Sequence, residues 1–78
     1  MMEVYSITYK YLTADSRGRR TREQFIQSRG QELSIPLIFG TREAAHNHIT
    51  KNYEAEQVDG DVYERADVRY TIVAVPVL

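Results

Sequence analysis

The sequence predicts an α+β domain: a small antiparallel β-sheet of three to four strands with one amphipathic helix packed on one face, in the order β-β-(β)-α-β. Three observations predict it. Residues 3–12 and 68–77 alternate apolar and polar side chains at period 2, the signature of strands. Between them, residues 42–54 carry their apolar side chains at spacings of three and four, the signature of a helix. The chain has 78 residues, which suits a single domain over 1–78.

The first strand, 3–12, places Tyr5, Ile7, Tyr9 and Tyr11 on one face, with Ser6, Thr8 and Lys10 between them. The tyrosine stripe has two readings: core beneath the helix, or a partly exposed aromatic face of the kind enriched in binding hot spots. Thr13-Ala14-Asp15-Ser16-Arg17-Gly18 is turn chemistry, where the chain is expected to reverse. Residues 19–29 fit two states. Thr21-Arg22-Glu23-Gln24 resembles a capping box and Gly30 a helix C-cap, which would give a helix over 22–29. Its only apolar residues, Phe25 and Ile26, are neighbours and form no stripe, so a strand returning against the first is preferred.

Leu33, Ile35, Leu37 and Phe39 alternate, which predicts a strand over 32–39; Pro36 belongs on its edge or at a bulge. Gly40 breaks that strand, and Thr41 is a suitable N-cap with Glu43 in the first turn. Ala45, Ile49 and Tyr53 then face the sheet. Residues 54–67 read as an acidic connection, an extension of the helix followed by a loop. In the last strand, Val68, Tyr70, Ile72 and Ala74 alternate with Arg69, Thr71, Val73 and Val75. Its end is apolar on both faces, which suggests burial on two sides, and Pro76 is expected to stop the ladder.

The net charge of −1 conceals a segregation. Residues 1–42 hold 7 basic and 4 acidic side chains, and residues 43–78 hold 3 basic and 7 acidic. The basic part centres on Arg17, Arg19, Arg20 and Arg22, with Arg29 beyond. Arginine presents a planar fork to carboxylates and phosphates, which suits recognition surfaces. Glu54, Glu56, Asp59, Asp61 and Glu64, followed by Asp67, form the acidic counterpart. Both segments also read plainly as solvated loops. A nucleic-acid binder is expected to be net basic, so the balance favours a protein partner.

No cysteine is present, so a disulfide framework and a Cys-based zinc site are excluded. His46 and His48, two positions apart on a helix, point to different sides and cannot share a metal comfortably; His48 reads as a boundary residue beside Ile49. Ser6, Ser16, Ser28 and Ser34 have no nucleophile context, and the glycines are scattered singly rather than gathered into a phosphate loop. No enzymatic activity, cofactor or metal is therefore expected. No apolar run approaches the roughly 20 residues that span a bilayer, and Met1-Met2-Glu3-Val4-Tyr5-Ser6 lacks the basic start of a secretory leader, which suggests a cytoplasmic protein.

Ile35-Pro36-Leu37-Ile38-Phe39-Gly40-Thr41-Arg42-Glu43-Ala44-Ala45 joins a strand ending to a Thr-capped helix. With the closing strand, this architecture over residues 33–77 resembles small bacteriophage accessory proteins, among them anti-CRISPR proteins and phage inhibitors of host RNA polymerase. The resemblance implies a stoichiometric protein inhibitor without a cofactor, and it carries over no individual site residue. On that basis the expected function is binding and inhibition of a host protein machine, a CRISPR effector or RNA polymerase, through Arg17, Arg19, Arg20, Arg22, Arg29 and the acidic segment. The alternatives are a nucleic-acid-binding module using the arginine-rich loop, and a homodimeric regulatory domain pairing through the last strand or an uncovered sheet face.

Overall fold

The computed structural model describes residues 2–12, 23–26 and 36–77. The turn at 13–18, the arginines Arg17, Arg19, Arg20, Arg22 and Arg29, the cap positions Thr21 and Gly30, and Leu33 and Ile35 of the third strand lie outside the described residues.

Two long strands form the centre of the sheet. β1 (Met2–Tyr11) and β6 (Val68–Val77) pair antiparallel over ten residues, from Met2↔Val77 to Tyr11↔Val68. The strand state preferred for 19–29 is observed at β2 (Gln24–Phe25), which pairs with Thr8 and Tyr9. Farther along the same edge of β1, β3 (Ile38–Phe39) pairs with Tyr5 and Ser6. The other side of β6 receives β5 (Val62–Arg65), and β5 receives β4 (Glu56–Asp59), both antiparallel. Among the described residues the sheet has six strands in the order β2-β1-β6-β5-β4, with β3 also on β1. The expected class of antiparallel sheet plus helix holds, but the expected three to four strands fall short.

The surplus comes from the acidic segment. Residues 56–65 are a hairpin, not a helical extension and a loop. Its turn is built by Asp59 and Gly60: the Asp59 carboxylate accepts from Gly60 N at 2.9 Å, and Gln57 Nε2 donates to Gly60 O at 2.6 Å. The register shift between Gln57 and Asp59 marks a bulge at Val58.

α1 (Arg42–His48) starts where its cap residue requires. Thr41 is extended, and its hydroxyl accepts from Ala44 N at 3.0 Å, an interaction that contributes about 1 kcal/mol. The helix continues to Tyr53, but Ile49–Tyr53 is a π-helix. Thr50 Oγ1 donates to His46 O at 3.0 Å and Asn52 Nδ2 to His48 O at 3.0 Å. These side chains take the carbonyls that an α-ladder would give to their own backbone N–H groups, which favours the wider turn. Glu54 then adopts a left-handed conformation (φ 53°) and ends the helix without a glycine.

The core is small and lies between this helix and one sheet face. Ile7, Ile72 and Tyr63 from the sheet meet Ala45 and Ile49, with Ala55 closing one end. Ile7 and Ile72 are cross-strand partners, as are Tyr63 and Tyr70. The helix stripe of Ala45, Ile49 and Tyr53 faces the sheet as its spacing predicts; Ala45 and Ile49 are fully buried and Tyr53 is half-buried.

The end of β6 differs from expectation. Ala74, Pro76 and Val77 are exposed, so it is not buried on two sides. Pro76 does not stop the ladder either, because it pairs with Glu3 and Val77 pairs with Met2. Ile72 N donates to Asp61 O on the β5 side at 2.9 Å. Even-numbered residues of β6 therefore aim their N–H groups away from β1. The missing donor of Pro76 falls on that outer edge and costs the β1–β6 ladder nothing.

Candidate binding surface

An open groove of about 370 Å³ lies on the helix-covered face, lined by Tyr9, Tyr11, Gln24, Phe25, Ile26, Tyr53, Val68 and Tyr70. Four tyrosines reach it from three elements. Tyr9 and Tyr11 belong to the stripe of β1, Tyr70 is the cross-strand partner of Tyr9, and Tyr53 arrives from the π-helix. Tyr53 and Tyr70 stack with centroids 4.8 Å apart and planes inclined by 11°. Tyr9 and Tyr11 meet edge to face at 6.2 Å, and Tyr9 Oη donates to Gln24 Oε1 at 3.2 Å. Burial raises the Tyr70 phenol above its ordinary range, helped by the nearby Tyr53 and Tyr11 and opposed by Arg65. At neutral pH it stays a protonated phenol with an O–H to donate.

The stripe on β1 is thus divided between both of its readings. Ile7 is core and Tyr5 packs against the core, whereas Tyr11 is 47% exposed. Phe25, on the neighbouring strand, is 43% exposed. Sequence reasoning did not join Tyr53, Phe25 and Tyr70 to this stripe; the only signals were their places in the helix stripe, the Phe25-Ile26 pair and the β6 alternation.

The acidic candidates gather around the hairpin, and most already have partners within the chain. Glu54 pairs with Arg65 Nη1 at 2.5 Å, Asp61 with Arg42 Nε at 3.3 Å, and Glu64 with Arg69 Nη2 at 2.8 Å. Asp59 builds the turn, while Glu56 is exposed on β4. The exposed Glu54–Arg65 and Asp61–Arg42 pairs contribute little to stability, whereas the Glu64–Arg69 pair is part-buried. Arg17, Arg19, Arg20, Arg22 and Arg29 lie outside the described residues.

The histidines diverge, as their spacing predicts. His46 Nδ1 shares a 2.6 Å hydrogen bond with the hydroxyl of buried Tyr63. His48 lies between Phe39 and Tyr53, with centroids at 5.1 and 5.4 Å. Among the described residues, no group of three or more His, Asp or Glu is placed to hold a metal. Burial lowers the His48 pKa below its ordinary 6.5, and Asn52 Nδ2 lies 3.3 Å from its Nδ1. The unfolded chain therefore takes up this proton at higher pH than the folded one, and the contribution to stability is lost as pH falls from 6.5 through the lowered value. The melting temperature is expected to drop between about pH 7.5 and about pH 5.5, and to drop less in His48→Gln. Equal drops in both proteins, followed by circular dichroism, would contradict this.

The surfaces named for homodimer formation are also resolved in part. Val68–Thr71 of β6 is flanked by β1 and β5, so pairing along the whole last strand is closed. The free outer edge near its end carries Pro76. Among the described residues, no helix is long and apolar enough to cross a membrane.

Comparison with protein-family models, with curated proteins and with solved structures finds no match.

Proposed function

We propose that this protein is a non-enzymatic binding domain that acts by occupying a surface of another protein. In line with its architectural resemblance to phage accessory proteins, the target is a host machine of the CRISPR effector or RNA polymerase kind. The observation that carries this reading is the groove, where four tyrosines and Phe25 line an open surface. Tyrosine combines a large apolar face with a polar tip and loses little conformational entropy on binding, so clusters of it anchor protein interfaces. The contact surface is accordingly centred on Tyr9, Tyr11, Phe25 and Tyr70.

Affinity capture from a bacterial host lysate, with and without nuclease, tests this reading. A protein partner retained at constant stoichiometry in both arms is expected. Loss of everything captured after nuclease treatment would favour the nucleic-acid alternative. Recovery of the protein alone, sedimenting as a dimer, would favour the homodimeric one.

A further inference from the structure

The turn between β4 and β5 brings two groups together that can react. The Asp59 carboxylate accepts a hydrogen bond from Gly60 N at 2.9 Å. The carboxyl carbon, Cγ, is bonded to that oxygen and so lies beside the same nitrogen. A backbone nitrogen that follows an aspartate can close a five-membered ring on the carboxyl carbon. Closure is favoured when the two atoms are already held close and no side chain crowds the nitrogen. Both conditions hold at Gly60, where even an added Cβ would meet nothing within 4 Å.

The surrounding contacts keep this arrangement in place. Gln57 Nε2 donates to Gly60 O at 2.6 Å, and Asp61 O accepts from Ile72 N at 2.9 Å. The Asp61 carboxylate is also paired with Arg42. The turn is thus anchored on both sides of Gly60, while Asp59 and Gly60 are exposed to water. The four glycines of the chain follow Arg17, Arg29, Phe39 and Asp59, so the sequence offers one aspartyl-glycyl bond and no asparaginyl-glycyl bond.

We propose that Asp59 is a site of spontaneous backbone modification, converting to isoaspartate through a cyclic imide with Gly60. In the first step Gly60 N bonds to Asp59 Cγ and a Cγ–O bond of the neutral acid breaks. The departing oxygen takes the acid proton and the N–H proton and leaves as water. In the second step water adds to the ring. Opening at the main-chain carbonyl leaves Gly60 joined to the side-chain carbon, with no net change in atoms. The backbone is then one methylene longer between Asp59 and Val62, the pair that closes the hairpin. The strand loosened in this way is the one that carries the buried Tyr63. This site is independent of whatever occupies the groove.

The test is incubation of the full chain in mildly acidic buffer made with oxygen-18 water, since the carboxyl reacts in its neutral form. Peptide mapping by mass spectrometry follows. The peptide containing Asp59 is expected to gain one heavy oxygen per turnover, to pass through a species lighter by one water, and to yield a later isoaspartyl form of unchanged composition. Gly60→Ala is expected to slow this several-fold, because its Cβ crowds the nitrogen. Its fold should persist, since the added Cβ meets no neighbour and the φ of Gly60 lies outside the left-handed region. The folded chain is expected to react at least as fast as the same chain unfolded in urea, because the turn holds the reacting atoms together. Label confined to other positions, an equal rate in folded Gly60→Ala, or a folded wild-type rate well below that in urea overturns the proposal.

Discussion

Ile49→Ala is expected to cost about 2–5 kcal/mol and to leave much of the chain unfolded at room temperature. The side chain is fully buried at the junction of α1 and the π-helix, in contact with a core that has few large members among the described residues. Truncation removes the transfer free energy of its methyl groups and leaves a cavity that Ala45 and Ala55 cannot fill. A domain of this size has a total stability of only about 4–12 kcal/mol, so this one change consumes a large share. Ile49→Val is expected to cost about 0.5–1.5 kcal/mol, since the shape is nearly retained. Urea denaturation followed by circular dichroism reads both. An Ile49→Ala midpoint equal to that of the wild type would mean that the helix does not dock through this residue.

The second large effect falls on binding rather than folding. Tyr11→Ala combined with Phe25→Ala is expected to weaken the captured complex by about two orders of magnitude or more, because truncating a hot-spot residue costs about 2 kcal/mol or more. Both side chains are exposed to nearly half of their area. Their loss should shift the melting temperature little, since neither belongs to the buried cluster. Calorimetry or surface plasmon resonance with the isolated partner separates the two effects. A stable double variant with unchanged affinity would remove the groove from the interface.

The parts of the fold legible in the sequence were those with long, uninterrupted periodicity. β1 and β6 alternate over ten residues each, and Thr41 with Ala45, Ile49 and Tyr53 marks both the start and the buried stripe of the helix. The hairpin was missed because Glu54, Glu56, Asp59, Asp61, Glu64 and Asp67 dominate its segment. Three of these pair with Arg65, Arg42 and Arg69, and residue spacing within the segment does not say which acid meets which arginine. Asp59-Gly60 between Val58 and Val62 was the available turn signal. Tyr63, buried at 2% exposure, went unrecognised for the same reason: it is the inward residue of a strand that otherwise reads as acidic loop. The helix end was obscured because Glu54 takes a left-handed backbone where glycine is the usual marker.

The candidate site was legible only as fragments. The tyrosines of β1 were visible as a stripe, but which of them are covered depends on where the helix stops. That limit is set by the π-helix, which side-chain hydrogen bonds from Thr50 and Asn52 favour, and by the left-handed backbone of Glu54, neither of which is written in the hydrophobic pattern. Tyr53 and Tyr70 come together by stacking across 17 positions of sequence, which alternation in either segment cannot foretell. Charge segregation drew attention to the acidic segment; in the folded chain its Glu56 and Glu64 lie on the sheet face opposite Tyr70, away from the aromatic surface.

Hydrogen–deuterium exchange on the complex with the captured partner tests the central claim most directly. Strong added protection is expected for Tyr9–Tyr11, for Gln24–Ile26 and for Val68–Tyr70, which line the groove, with weaker protection along Glu54–Glu64. Protection confined to Met2–Val4 and Val73–Val77, at the far end of the central strands, would contradict it.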